Sequence, residues 1–232
     1  MESPKVEPKR VRAWAIARSL YAGSKVFYSN SRKNDRSSIE PFLFDDDRIG
    51  FGKYGPLVFK DSGLRNLVDF GFSCPDIYQL TKFPVLSLLK ISHIVKISKY
   101  LKTVNYSNKY LQYLLLVGLE ATACYLNYDR RFIEVKDHGC MQFKIDKKTT
   151  PLAKIHKSDD EIWKVSLGTD EITPNATLTF KTIKIGVDAC LGKIDEKESI
   201  SMGDLIVDGR LPLADTIGYA SRIASSELSV FK

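Results

Sequence analysis

The residue types that make and break bonds are few in this chain and stand far apart. Its four cysteines, Cys74, Cys124, Cys140 and Cys190, form no C-x-x-C pair and have no histidine at ligand spacing. The three histidines, His93, His138 and His156, are isolated from one another. A zinc or redox centre needs such groups converging at short spacing, so no metal is expected and the cysteines read as reduced, mostly buried thiols. The run Asp45-Asp46-Asp47 offers oxygens to a hard cation, but it lacks the spacing of a calcium loop. A helix start or a solvated turn is expected there. Gly50, Gly52 and Gly55 follow no strand and open no helix with a nucleotide fingerprint, so they read as turn makers. There is no H-E-x-x-H, no G-x-S-x-G and no phosphate loop. Neither an enzyme activity nor a cofactor is expected. What the sequence offers instead is patterned apolar surface, and the chemistry of apolar surface is burial.

The elements that would position that surface are clearest between Asn175 and Leu228. Ala176, Leu178 and Phe180 alternate with Thr177, Thr179 and Lys181, a period of two that predicts a half-buried strand. Ile183, Ile185, Val187 and Leu191 form an apolar run that Gly192 can stop as a helix. Asp195 can start a short further turn of helix. Met202 to Gly209 reads as a second strand bracketed by glycines, and Gly203 and Gly209 read as backbone devices for a turn or a bulge. A last helix starts near Pro212, with Leu213, Ile217, Ala220 and Ile223 or Ala224 at helical spacing.

These pieces resemble the C-terminal half of the sterol carrier protein (lipid-transfer) domain. The resemblance rests on Ala176-Thr177-Leu178-Thr179-Phe180, on Leu191-Gly192-Lys193-Ile194, on Ser199-Ile200-Ser201-Met202-Gly203-Asp204-Leu205-Ile206-Val207-Asp208-Gly209 and on Leu213-Ala214. Met141 to Ile145 and Ile162 to Leu167 fit the first two strands of the same fold, so the resemblance covers residues 108–232. It implies an α+β fold in which a five-stranded mixed sheet is covered by helices on one face. It further implies non-catalytic binding of a fatty acyl, sterol or isoprenoid tail in an apolar cavity. By position the lining would come from Phe143, Ile145, Val165, Leu178, Phe180, Ile183, Val187, Leu191, Met202, Leu205, Val207, Leu213 and Ile217. A sheet-on-helix core needs residues of the same type, so each also has an ordinary reading as filled core. Met202 is flexible and is the best single choice for a wall that adapts to a ligand.

Further upstream, Asn108 to Tyr125 holds one carboxylate, Glu120, in an otherwise apolar run and predicts a buried helix rather than a membrane span. Asp129 to Ile145 reads as two strands around His138-Gly139, Lys147 to Asp160 as a polar connection, and Ile162 to Leu167 as the next strand. Residues 1 to about 80 match no family, and residues 1–107 form a basic, aromatic-rich extension of helices and loops. A helix is expected from Trp14 to Tyr28, a loop-like stretch from Pro41 to Lys60, and a short helix from Leu64 to Phe70. After Pro84 comes a lysine-rich helix through Leu101 that either packs its apolar stripe inward or lies on a membrane or partner.

The 232 residues carry 44% hydrophobic and 11% aromatic residues with a net charge of +7, which suits a folded protein in anionic surroundings. Nucleic acid is not expected, because the lysines follow apolar helices rather than alternate with aromatics on a sheet. An anionic membrane surface or partner subunits are expected to meet residues 1–107. Residues 9–33 hold seven basic residues and no acid, and no secretory signal is evident, so the expectation is a mitochondrial address, with the cytoplasm as the alternative. A second reading of the whole chain is a structural accessory subunit of a membrane-bound complex, with the extension as its interface.

Overall fold

The structure, a computed structural model, describes residues 10–27, 38–53, 55–70, 73–132, 138–146, 150–157 and 159–228. Two compact units divide the chain, Met1–Val104 and Asn105–Lys232. The sequence reading sets the division at 107 and 108.

In the first unit, helix α1 (Val11–Phe27) is lined by Val11, Trp14, Ile16, Leu20 and Val26, all buried. It packs on α2 (Asp61–Phe70), on α4 (Pro84–Lys102) and on β1 (Pro41–Leu43). This basic segment is therefore part of its unit's packing rather than a surface helix. The stretch from Pro41 to Lys60, expected as loop, is instead a three-stranded antiparallel sheet in the order β1-β2-β3, with β2 at Arg48–Phe51 and β3 at Leu57–Lys60. Strands of three and four residues crowded by glycines hide their alternation. They hold because Ile49, Phe51, Leu57, Val58 and Phe59 are all buried.

Gly52 makes one of the connections possible. Its φ is +77°, and a Cβ there would lie 2.3 Å from the Ser38 carbonyl oxygen. Arg10 ties the unit together by donating from Nε to Asp61 Oδ2 at 2.8 Å and from Nη1 to the Asp45 carbonyl at 3.0 Å. The helix α3 (Ile77–Lys82) leads into α4, whose buried residues Ser87, Lys90, Ile94, Ile97 and Leu101 recur at intervals of three and four.

The second unit opens with α5 (Asn108–Tyr128), capped by Ser107, whose Oγ accepts from the Tyr110 amide at 3.3 Å. It is buried nearly all round, Glu120 included, as expected for a core helix. Among the described residues no helix is long and apolar enough to cross a membrane. Five strands follow, β4 (Cys140–Ile145), β5 (Ala153–Lys157), β6 (Trp163–Leu167), β7 (Ala176–Phe180) and β8 (Leu205–Gly209), arranged as β6-β5-β4-β7-β8. Only β4 and β7 run parallel, which makes the sheet mixed. Helices α6 (Ile183–Cys190) and α7 (Glu196–Ser201) lie between β7 and β8 in sequence, and α8 (Leu211–Glu227) closes the chain.

The unit is thus α+β with a five-stranded mixed sheet. Two local expectations change. The presumed polar connection from Lys147 to Asp160 contains β5, an interior strand. Lys154 and His156 share one face of the sheet while Ala153, Ile155 and the terminal Lys157 share the other. The strand expected over 131–137 begins in a turn at Arg131 and Phe132, and the rest of it, 133–137, lies outside the described residues.

Candidate functional site

Register decides which side chains meet across the second unit's sheet. Two rows cross all five strands on one face. Leu167, Ala153, Phe143, Leu178 and Val207 form the first, and Val165, Ile155, Met141, Ala176 and Gly209 the second. Ile145, Phe180 and Leu205 extend the face along β4, β7 and β8. Every side chain in these rows is apolar, and Gly209 has none. The opposite face holds Ser166, Lys154, Gln142, Thr177 and Asp208 in one row, with Lys144, Thr179 and Ile206 in another. The pleat therefore separates the two kinds of residue almost completely, and a slip of one residue would exchange them.

Helices cover the apolar face. A Cβ placed on Gly186 of α6 would lie 2.6 Å from Leu111 of α5 and 3.2 Å from the Phe180 ring, so the three elements meet at that glycine. Helix α5 packs along β5 and β6, and α8 packs on β7 and β8. Asn127 at the end of α5 holds β6, accepting from the Trp163 amide at 2.8 Å and donating to its carbonyl at 2.9 Å. At the far end of α8, Glu227 accepts from the Tyr125 hydroxyl at 2.7 Å and from Arg131 at 3.0 Å. Gly209 closes the rows where β8 turns toward α8. Its φ is +91°, and a Cβ would meet the Asn175 carbonyl at 2.3 Å.

All seven of the strand residues singled out from sequence fall on this one face. Phe143, Phe180 and Leu205 are buried, and Ile145, Val165, Leu178 and Val207 are only half-buried although helices pack on the same face. From the helices, Val187, Leu213 and Ile217 are buried, while Ile183 and Leu191, which sits at the C-cap of α6, are half-buried. Met202 stands apart. It lies ahead of β8, at the C-cap of α7, and is 63% exposed. Leu111, Met141, Ile155 and Trp163 join the same layer without having been singled out. Ile155 had a legible signal in the alternation of Ala153-Lys154-Ile155-His156-Lys157, which the charges masked.

Most of the sheet's titratable groups lie on the opposite face, whereas Lys157, opposite Trp163 at the end of β5, has the parity of the apolar rows. Cys140 and His156 are direct partners across β4 and β5. Burial pushes the Cys140 thiol up to about 11 and pushes His156 below its ordinary value, so neither is poised as an attacking pair. The Lys154 ammonium is buried and donates to the carbonyls of Asp170 at 2.6 Å and Ile172 at 2.8 Å, with the Asp170 carboxylate 2.6 Å away. Burial alone would raise the Asp170 carboxyl, but hydrogen bonds from Lys154 and Ser166 outweigh it and hold it below the usual range. In the first unit the aspartate run forms the turn between β1 and β2, where Asp45 pairs with Arg48. No group of three or more His, Cys, Asp or Glu among the described residues is placed to hold a metal ion.

No family model matches the sequence, and no curated protein is significantly similar to it. Solved structures do align, among them the solution structure of the sterol carrier protein domain 2 of Helicoverpa armigera, similar over 49% of this chain and 89% of that chain, at 18% identity and a TM-score of 0.37.

Proposed function

We propose that residues 105–232 bind a lipid tail non-covalently between the apolar face of the sheet and helices α5, α6 and α8. The observation that supports this reading is the incomplete burial of Ile145, Val165, Leu178 and Val207 on a face whose central rows are apolar and which helices already cover. The two central rows of this face carry no polar side chain, and such a surface can hold a hydrocarbon chain by burial alone. Each methylene removed from water contributes about 0.8 kcal/mol, so a chain of about ten carbons supplies several kcal/mol without a hydrogen bond. The polar groups of the opposite face take no part, and the reading is of a carrier rather than an enzyme. Fatty acyl, sterol and isoprenoid tails all satisfy this chemistry.

The experiment is native mass spectrometry of the full chain, followed by delipidation and titration with a fluorescent fatty acid and a fluorescent sterol. Saturable uptake of at least one of them is expected. Leu178→Asn places an amide on the half-buried centre of the face and lowers uptake by about tenfold with little loss of fold. Failure of the delipidated protein to take up any apolar probe would remove the proposal.

A further inference from the structure

The second lipid-facing candidate lies in the first unit and does not depend on the reading above. Helix α4 buries one side, through Ser87, Lys90, Ile94, Ile97 and Leu101, and that side accounts for its packing. The outward side is not the polar surface that an amphipathic helix normally turns to water. Val85 is 69% exposed, Leu88 63%, Leu89 46% and Val95 51%. Just ahead of them, Ile77 and Tyr78 of α3 are exposed to a similar degree. Single exposed apolar residues are ordinary, but this many on the outer side of two consecutive helices form a patch that asks for an occupant.

Charge selects that occupant. Lys82 stands over the rings of Tyr78 and Phe83, and the exposed Lys96, Lys99 and Lys102 continue along the outer side of α4. No aspartate or glutamate occurs between Asp76 and Glu120. A second copy of the chain would bring like charges together on this face. A nucleic-acid backbone would answer the lysines but leave the leucines and valines in water. An anionic bilayer surface answers both at once, because apolar side chains enter the acyl boundary while lysines reach the phosphates from the same helix.

We propose that the outward face of α3 and α4, with Val85, Leu88 and Leu89 inserted and Lys96, Lys99 and Lys102 at headgroup level, docks this protein in the plane of an anionic phospholipid membrane. The helix lies on the surface and does not span it.

Co-flotation of the full chain with vesicles tests this, using phosphatidylcholine alone and phosphatidylcholine mixed with phosphatidylserine, each at low and high salt. Binding is expected to the phosphatidylserine vesicles and to weaken as salt rises. Joint replacement Lys96→Glu and Lys99→Glu, and separately Leu88→Asp with Leu89→Asp, each lowers partitioning by about tenfold or more. These side chains face outward, so thermal unfolding stays unchanged. If the leucine pair does unfold the protein, the lysine pair carries the test. Lys197→Glu, on the exposed surface of α7, leaves binding as it is. In Tyr78→Trp, quenching of the new indole by brominated lipid places α3 at the acyl boundary. The proposal is overturned if the protein ignores phosphatidylserine vesicles, if the lysine pair binds them as the parent does, or if the variants instead release a bound protein partner. Uptake of monomeric fatty acid, measured without vesicles, reads the second unit separately, so the two proposals fail independently.

Discussion

Lys90 is the residue with the sharpest consequence for stability. It points inward from α4 with no exposed surface, and its Nζ donates to the Gly55 carbonyl at 2.5 Å. Burial pulls its pKa from 10.5 down to about 8. Between those values the unfolded chain holds a proton that the folded chain has released, so the stability of the first unit rises with pH across that window and is flat above it. Lys90→Met keeps the length of the side chain without the charge. The expected result is a denaturation midpoint that no longer climbs between pH 8 and 10.5, measured by chemical unfolding at several pH values. Nothing in the sequence marked Lys90 out from Lys96, Lys99 and Lys102, since four lysines spread around one helix look alike until the packing side is known. Met202 shows the converse. Its flexibility fitted a pocket wall, but the chain enters β8 only at Leu205, three residues after Met202, and the side chain is left outside the layer.

At the scale of elements, the eight residues between β6 and β7 carry more than a connection. To pass from the edge strand β6 to the far side of β4, the chain must cross β5 and β4 on the polar face. Lys154 of β5 is the post on which that crossing is held, through the Asp170 and Ile172 carbonyls and the Asp170 carboxylate. Its charge is therefore satisfied even though it is buried on an interior strand. Lys154→Met leaves three acceptors unanswered, and a loss of about 2 kcal/mol is expected from equilibrium unfolding of the full chain. Strand β5 was obscured in sequence for the same reason, since two lysines and a histidine in a five-residue strand resemble a polar connection. The three short strands between Pro41 and Lys60 were hidden by their glycines. By contrast, β7 and α8 were legible because Ala176, Leu178 and Phe180, and then Leu213, Ile217, Ala220 and Ala224, follow periods of two and of three to four without interruption. The alignment of Phe143, Ile145, Val165, Leu178, Phe180, Leu205 and Val207 on one face follows from their parity. The half-buried state of four of them depends on helix placement, which no period encodes.

For the whole molecule, the two units invite a division of labour, with membrane contact assigned to residues 77–102 and tail binding to residues 105–232. Separate expression of 105–232 tests it. This fragment is expected to unfold cooperatively and to keep fatty-acid uptake while losing affinity for phosphatidylserine vesicles. Uptake that disappears with the first unit would tie the two properties together. The strand order also governs how the second unit assembles. β4, β5 and β6 are successive antiparallel neighbours and can zip from local turns, whereas β7 must find the open flank of β4 after everything between Ile145 and Ala176 has been laid down. The search for that parallel partner carries the larger loop-closure entropy, so its capture is the slow kinetic step. Until it happens the flank of β4 is a bare hydrogen-bonding margin, and a nascent chain stalled at that stage is the form most prone to pair with its neighbours.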